Sequence, residues 1–165
     1  MINVLPYTPE YAAGVVSVIL PIQQLEFGVP ITLDAQPDLL DIPGFYQSKE
    51  GNFWVATAGT DVVGTIGLLD IGNRQAALRK MFVAASHRGS EHGVAKRLLD
   101  ELLAWSSKKG IVEVLLGTTD RFLAAHRFYE KNGFYEVTKS SLPETFPVMA
   151  VDSKFYRRAL SQNAV

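Results

Sequence analysis

The sequence contains no cysteine. That excludes disulfides, zinc–thiolate centres and a cysteine nucleophile that would carry an acyl group. It also agrees with a reducing compartment. Histidine is scarce: His87, His92 and His126 are the only three, and their scatter matches no metal-ligand spacing. A basic leader is missing at the N-terminus, and the apolar run at residues 15–20 is too short to span a bilayer. These absences lead to the expectation of a soluble, cytoplasmic protein without a metal. Excess charge is lacking too. The formal net charge of −1 points to neither a nucleic acid nor a membrane as partner. Basic side chains are absent altogether from residues 1–48, which hold Glu10, Glu26, Asp34, Asp38 and Asp41. The remaining 12 acids face 16 bases, a balance of +4 over the rest of the chain. Solvated faces are the bland explanation of this asymmetry.

What is present is an ordinary globular composition, 47% hydrophobic and 20% charged over 165 residues. This suits one domain with a full core. No repeat, linker or low-complexity tract divides it. A short strand is expected at residues 2–5 and a helix at 10–20, interrupted by Pro21. Residues 22–27 are expected to resume a helix, and Gly28, Pro30 and Pro37 then break the chain. Strands are expected at 53–58, 62–70 and 76–83, separated by the turns Gly59-Thr60-Asp61 and Gly72-Asn73. In residues 93–109, Val94, Leu98 and Leu102 form one row and Ala95, Leu99 and Leu103 the next, which is one buried stripe of a helix. Gly110 closes it. A strand at 112–118, a helix at 122–132 ended by Gly133, and strands at 134–137 and 147–156 complete the chain. The expected fold is α/β, a mixed central sheet with helices on both faces.

Two stretches carry chemistry. The strand Leu78-Arg79-Lys80-Met81-Phe82-Val83 leads into Arg88-Gly89-Ser90-Glu91-His92-Gly93-Val94-Ala95, where the long helix begins. A small-residue turn before a helix exposes unpaired first-turn N–H groups and the positive end of the helix dipole, a phosphate site. The second stretch is Ala124-Ala125-His126-Arg127-Phe128-Tyr129-Glu130-Lys131-Asn132-Gly133-Phe134, after an apolar strand. A nucleotide-binding α/β domain is a poorer reading, because it needs a glycine fingerprint after the first strand of a parallel βαβ unit and none is present.

Over residues 53–137 this order of strand, glycine loop, helix, strand and Ala-x-x-Phe-Tyr-Glu-Lys-x-Gly-Phe helix resembles the GNAT superfamily of acyl-CoA-dependent N-acyltransferases. The resemblance implies a single GNAT-type domain, with residues 1–52 on the acceptor side, 53–137 as the acyl-CoA-binding core and 138–165 as closing strands. It implies an N-acetyltransferase using acetyl-CoA on a primary amine, by direct transfer in a ternary complex. A non-catalytic acyl-CoA-binding or regulatory module of the same fold is the alternative. The sequence leaves a homodimer open.

By resemblance, the coenzyme lies between two strands that splay apart, 76–83 and 112–118. Main-chain groups of Met81, Phe82 and Val83 pair with its pantetheine arm. Arg88, Gly89, His92, Gly93, Val94 and Ala95 surround its phosphates. Ala125, Phe128 and Tyr129 border its sulfur, and Tyr129 protonates the departing thiolate. Two departures from the family stand out. Counting from Arg88 puts Glu91 where the first loop glycine belongs. Counting back from Leu98 and Leu99 instead makes Gly93 and Ala95 the two small residues, with Ser90 in the arginine's place, and this keeps the helix in phase. Phe122 stands where many relatives have asparagine. The glutamate that many relatives use as base is replaced by Ala77, so Glu26 is the expected substitute, with Asp34 and Asp41 as rivals. The carboxylates of residues 1–48 predict an acidic rim and a cationic acceptor.

Overall fold

The computed structural model describes residues 1–161. The last four residues of the closing segment, 162–165, lie outside the described residues. Seven strands form one sheet in the order β1-β2-β3-β4-β5-β7-β6. They are β1 (Ile2–Pro6), β2 (Asn52–Ala58), β3 (Asp61–Gly72), β4 (Gln75–Val83), β5 (Glu113–Thr118), β6 (Tyr135–Val137) and β7 (Lys154–Ala159). All neighbours run antiparallel except β4 and β5. The helices are α1 (Ala12–Pro21), α2 (Pro37–Leu40), α3 (Ile42–Phe45), α4 (Val94–Lys108) and α5 (Leu123–Lys131). None of the described helices is long and apolar enough to cross a membrane.

Strand side chains alternate between two cores, as a period of two requires. Trp54, Ala56, Leu78, Val114 and Leu116 pack against Leu98, Leu99 and Leu102 of α4 and Tyr129 of α5. Phe53 and Val55 face the other way, onto Val15 and Ile19 of α1, Leu39 of α2 and Ile42 of α3. Ala77 and Leu115 also face that side, under Phe146 and Phe155. Each fully buried leucine of the α4 stripe contributes about 1.5–3 kcal/mol.

One expectation is refined and one corrected. Pro21 interrupts the α pattern but not the helical path. It is the last residue of α1, and the backbone widens into a π-helical turn over Ile22–Glu26, with Phe27 N donating to Ile22 O at 2.9 Å. Proline has no N–H to donate, and the regular α pattern stops at it. The closing strand begins at Lys154 rather than at residue 147. Before it, Asp152 N donates to Met149 O at 3.0 Å while Asp152 Oδ2 accepts from Met149 N at 2.9 Å, a closed turn that competes with pairing.

The ladder between β4 and β5 holds only Gln75–Glu113, Ala76–Val114 and Ala77–Leu115. Beyond Ala77 the strands separate, although β4 stays paired with β3 as far as Val83. A β-bulge lies at this point: Thr65 pairs with Phe82 but Gly67 with Arg79, and Lys80 takes φ +54°. Thr65 Oγ1 donates to Lys80 O at 2.7 Å. The Lys80 side chain is buried. Its ammonium donates to Gln36 Oε1 at 2.7 Å and lies 3.5 Å from Asp38 Oδ2, which also accepts from the Tyr46 hydroxyl at 2.7 Å. Gln23 and Gln36 exchange two amide hydrogen bonds of 2.9 Å. Burial pulls the Lys80 pKa down, and Asp38 restores part of it. The network ties the π turn after α1, and α2, to the bulge of β4.

Removing one charge of such a buried pair strands the other. Asp38→Asn is expected to destabilise the fold by about 3–5 kcal/mol in urea denaturation. The double variant Asp38→Asn with Lys80→Met should lose less than this single one. A single variant within 0.5 kcal/mol of the parent would contradict the network's role.

Candidate active site

The separation of β4 from β5 opens a cleft of about 1260 Å³ that reaches both faces of the sheet. Met81, Phe82, Val83, Arg88, Ala125, Tyr129 and Glu26 all line it. Gly89, His92, Gly93, Val94 and Ala95 sit beyond its end, in the turn that starts α4. Phe128 packs against the core below α5. On the β5 side, no strand pairs with β4 from Leu78 to Val83. This leaves backbone groups facing the cleft, where an extended arm can add as a strand would.

The glycine loop is built from local constraints. A 3₁₀ turn, Ala85–His87, follows β4, and Arg88 is extended. His92 N and Gly93 N both donate to Gly89 O, at 3.2 and 3.3 Å. Gly93 then takes φ +66°, and no side chain caps α4. No atom lies within 4 Å of where a Gly93 Cβ would stand. The helix N-terminus is therefore open to an anion. Glu91 is exposed and does not cap the helix; its carboxylate lies 3.7 Å from His92 Nε2.

Tyr129 reaches the cleft from α5. Its residue is buried, packed against Phe128, Phe134 and Tyr156. Its hydroxyl donates to Met81 Sδ at 3.7 Å, across the splay. Thioether sulfur is a weak acceptor, so this hydroxyl is free to turn to a stronger acceptor in the cleft. Burial raises its pKa well above the ordinary tyrosine range. His126 is buried rather than at the surface, with Nε2 2.7 Å from Thr119 O, and supports the turn before α5. Phe122 precedes α5 and makes no capping hydrogen bond. Its ring lies 4.1 Å from that of Phe27, and Phe27 also approaches Phe82 at 6.2 Å. These aromatics roof the cleft.

The acidic segment does not form a rim. Glu26 alone of its five carboxylates lines the cleft. Arg88 engages it bidentately, Nη1 to Oε1 at 2.6 Å and Nη2 to Oε2 at 2.9 Å, while Arg88 Nε donates to Val83 O at 2.8 Å. The Arg88 hydrogen bond holds the Glu26 carboxyl below its ordinary range, and a carboxylate so held is a weaker base. Asp38 is engaged by Lys80. Asp41 accepts from Gly44 N at 3.0 Å, Glu10 accepts from Thr8 Oγ1, and Asp34 is exposed away from the cleft. The cationic acceptor therefore loses the observation that motivated it.

Sequence reasoning missed two groups in the cleft. Arg79 follows Ala77 by two residues, so the strand period turns it to the α1 face, and that signal was available. Asp152 comes from the loop before β7, which had no signal of its own. A Cβ on Gly117 of β5 would lie 2.5 Å from Asp152 Oδ2, so glycine admits the carboxylate there.

Known proteins are similar to this chain in sequence and fold. The acetyltransferase (GNAT) domain pattern matches residues 49–136. A GNAT-family acetyltransferase from Staphylococcus aureus Mu50 superimposes with a TM-score of 0.91 at 38% identity, over 98% of this chain and 100% of that one. The probable N-acetyltransferase family 8 member 5 of Mus musculus is 35% identical over 111 residues, 64% of this chain and 48% of its own. N-acetylaspartate synthetase of Xenopus tropicalis is 36% identical over 104 residues, 61% of this chain and 37% of its own. The chain spans about half the length, or less, of these curated relatives. With more than half of its length matched by the domain pattern, the chain belongs to the GNAT acetyltransferase family.

Proposed function

We propose that this protein is an N-acetyltransferase that moves an acetyl group from acetyl-CoA to a primary amine, directly, with both bound at once. The observation that carries this reading is the buried Tyr129 hydroxyl, held at the opening of β4 from β5 with Met81 Sδ as its acceptor among the described residues. The coenzyme's phosphates meet the open N-terminus of α4 at Gly93, Val94 and Ala95, with Gly89, His92 and Arg88 around them. Its pantetheine arm lies along Met81, Phe82 and Val83, where β4 has no partner on that side. Ala125 lines the α5 wall beside Tyr129, and Phe128 packs against Tyr129 from the core.

The chemistry divides into two proton problems. A thiol has a pKa near 8.5, so thiolate is a tolerable leaving group and Tyr129 assists rather than decides. An ammonium of ordinary pKa about 10.4 costs about 4–5 kcal/mol to deprotonate near pH 7. An acceptor for that proton is therefore needed on the amine's side. The Glu26–Arg88 pair favours one second reading, a module that binds acetyl-CoA without turning it over. Release of CoA thiol from acetyl-CoA across a panel of amines separates the two, because a chain without cysteine gives a thiol reagent no background.

Gly93→Glu is expected to abolish acetyl-CoA binding, read by calorimetry, in a variant that remains folded. The side chain would enter the open space before α4 and set a carboxylate against phosphate. Unchanged affinity would remove the loop from the site. Tyr129→Phe is expected to lower turnover by about ten- to a thousandfold with little change in acetyl-CoA affinity. A raised pKa keeps the hydroxyl protonated through the ordinary tyrosine range, so kcat should show no falling limb from this group below about pH 10. Unaltered turnover, with chemistry limiting, would make Tyr129 a packing residue.

A further inference from the structure

Among the described residues that line the cleft, Arg79 and Arg121 are the cations left once the ion pairs are matched, and Arg79 is the one carried by β4. Arg88 holds Glu26, and Lys80 holds Asp38. Arg79 holds no carboxylate among the described residues. Its guanidinium lies 5.5 Å from the Phe45 ring centroid, and Nη2 donates to Met149 Sδ at 3.5 Å. A guanidinium stays charged at any physiological pH and presents a planar fork of donors. A ring face and a thioether leave most of that fork unused. An unpaired guanidinium lining a cleft fits the forked oxygens of a carboxylate.

Asp152 lies beside it, joined through the Met149 turn that touches both residues. Its carboxylate rests on Gly117, at the splayed end of β5. The loop is fastened there: Ser153 N donates to Thr118 O at 2.9 Å, and Asp120 N donates to Ser153 Oγ at 2.9 Å. Burial raises the Asp152 pKa, while the Met149 N–H and Arg79 lower it in part. A carboxylate so placed is a better proton acceptor than Glu26, which a bidentate arginine holds down. The two faces of the sheet thus differ. Tyr129 reaches the splay from the α5 face, whereas Arg79 and Asp152 wait on the face of α1.

We propose that Arg79 and Asp152 form the acceptor subsite, and that the acceptor is an amine of the α-amino acid type, its carboxylate on Arg79 and its amino group at Asp152. The proposal rests on the transferase reading above and narrows its amine. The acceptor's ammonium first loses one proton to Asp152, which passes it to solvent. The nitrogen lone pair then attacks the thioester carbonyl carbon. As the C–N bond forms, Asp152 takes the second proton; the C–S bond breaks, and the thiolate takes the proton of Tyr129. Both side chains recover their starting states through water. The balance is ammonium plus acetyl thioester giving amide, CoA thiol and one proton.

The test measures CoA thiol release with matched pairs that differ only in the carboxylate, such as leucine against 3-methylbutylamine and phenylalanine against phenethylamine. The parent protein should prefer the acid at least tenfold in kcat/KM. Arg79→Gln should bring that ratio close to one. Asp152→Asn, which retains an oxygen to accept from Met149 N, should lower kcat at least tenfold on the preferred acid without changing calorimetric acetyl-CoA affinity. Turnover with no preference for the acid, or a preference that survives Arg79→Gln, would overturn the subsite and leave the transferase intact. Full kcat in Asp152→Asn would overturn its role as proton acceptor. Thiol release with no amine of either kind would overturn the transferase reading and the subsite with it.

Discussion

Everything in this site depends on one interruption of hydrogen bonding: the ladder between β4 and β5 stops at Ala77 and Leu115. Two parallel strands that stayed paired would bury their backbone groups in each other and close the middle of the sheet. Here β4 keeps its antiparallel neighbour β3 to Val83, so the strand remains rigid while its other edge is free. The bulge at Lys80 turns that edge, and a buried ammonium fixes the bulge by reaching Gln36 and Asp38. A half-satisfied polar network in this position would cost more than an apolar one. This one is filled from both sides, since Asp38 also accepts from Tyr46 and Gln36 is held by Gln23.

The same interruption separates two chemical environments. On the helical face of α4 and α5, the cleft meets a glycine turn, an uncapped helix start and a phenol that donates to a sulfur. On the α1 face it meets a guanidinium and a loop carboxylate. A thioester threaded between the strands would present its sulfur to one face and its carbonyl carbon to the other. The Arg88–Glu26 pair joins the loop after β4 to the turn after α1 near one end. An exposed pair of this kind adds little stability, and its place is at the cleft rather than in the core.

The sequence made the scaffold legible because its periods are clean. The α4 stripe of Val94, Leu98 and Leu102 became the core seam, and the alternation of β2 sorted Trp54 and Phe53 to opposite faces. The helix motif ending in Phe128-Tyr129-Glu130-Lys131-Asn132-Gly133-Phe134 carried the family, which the matches bear out. Long-range charge was not legible. Five carboxylates in a segment without a base look like an acidic surface, yet the partners of Glu26 and Asp38 lie 62 and 42 residues away in sequence. Nor does a local pattern mark Asp152, whose position follows from the turn it closes with Met149 and from the missing side chain of Gly117. Past Pro21 the chain keeps a helical path in a π turn, a form that no periodicity of the sequence marks.

The central claim is that the free edge of β4 receives the coenzyme's arm as a strand would. Amide hydrogen exchange with and without CoA tests it at the atoms concerned. On binding, the account predicts slowed exchange at the amides of β4 beyond Ala77 and in the first turn of α4, while the already paired amides of β2 change little. Slowing confined to β6 and β7, with the free edge of β4 exchanging as before, would contradict it.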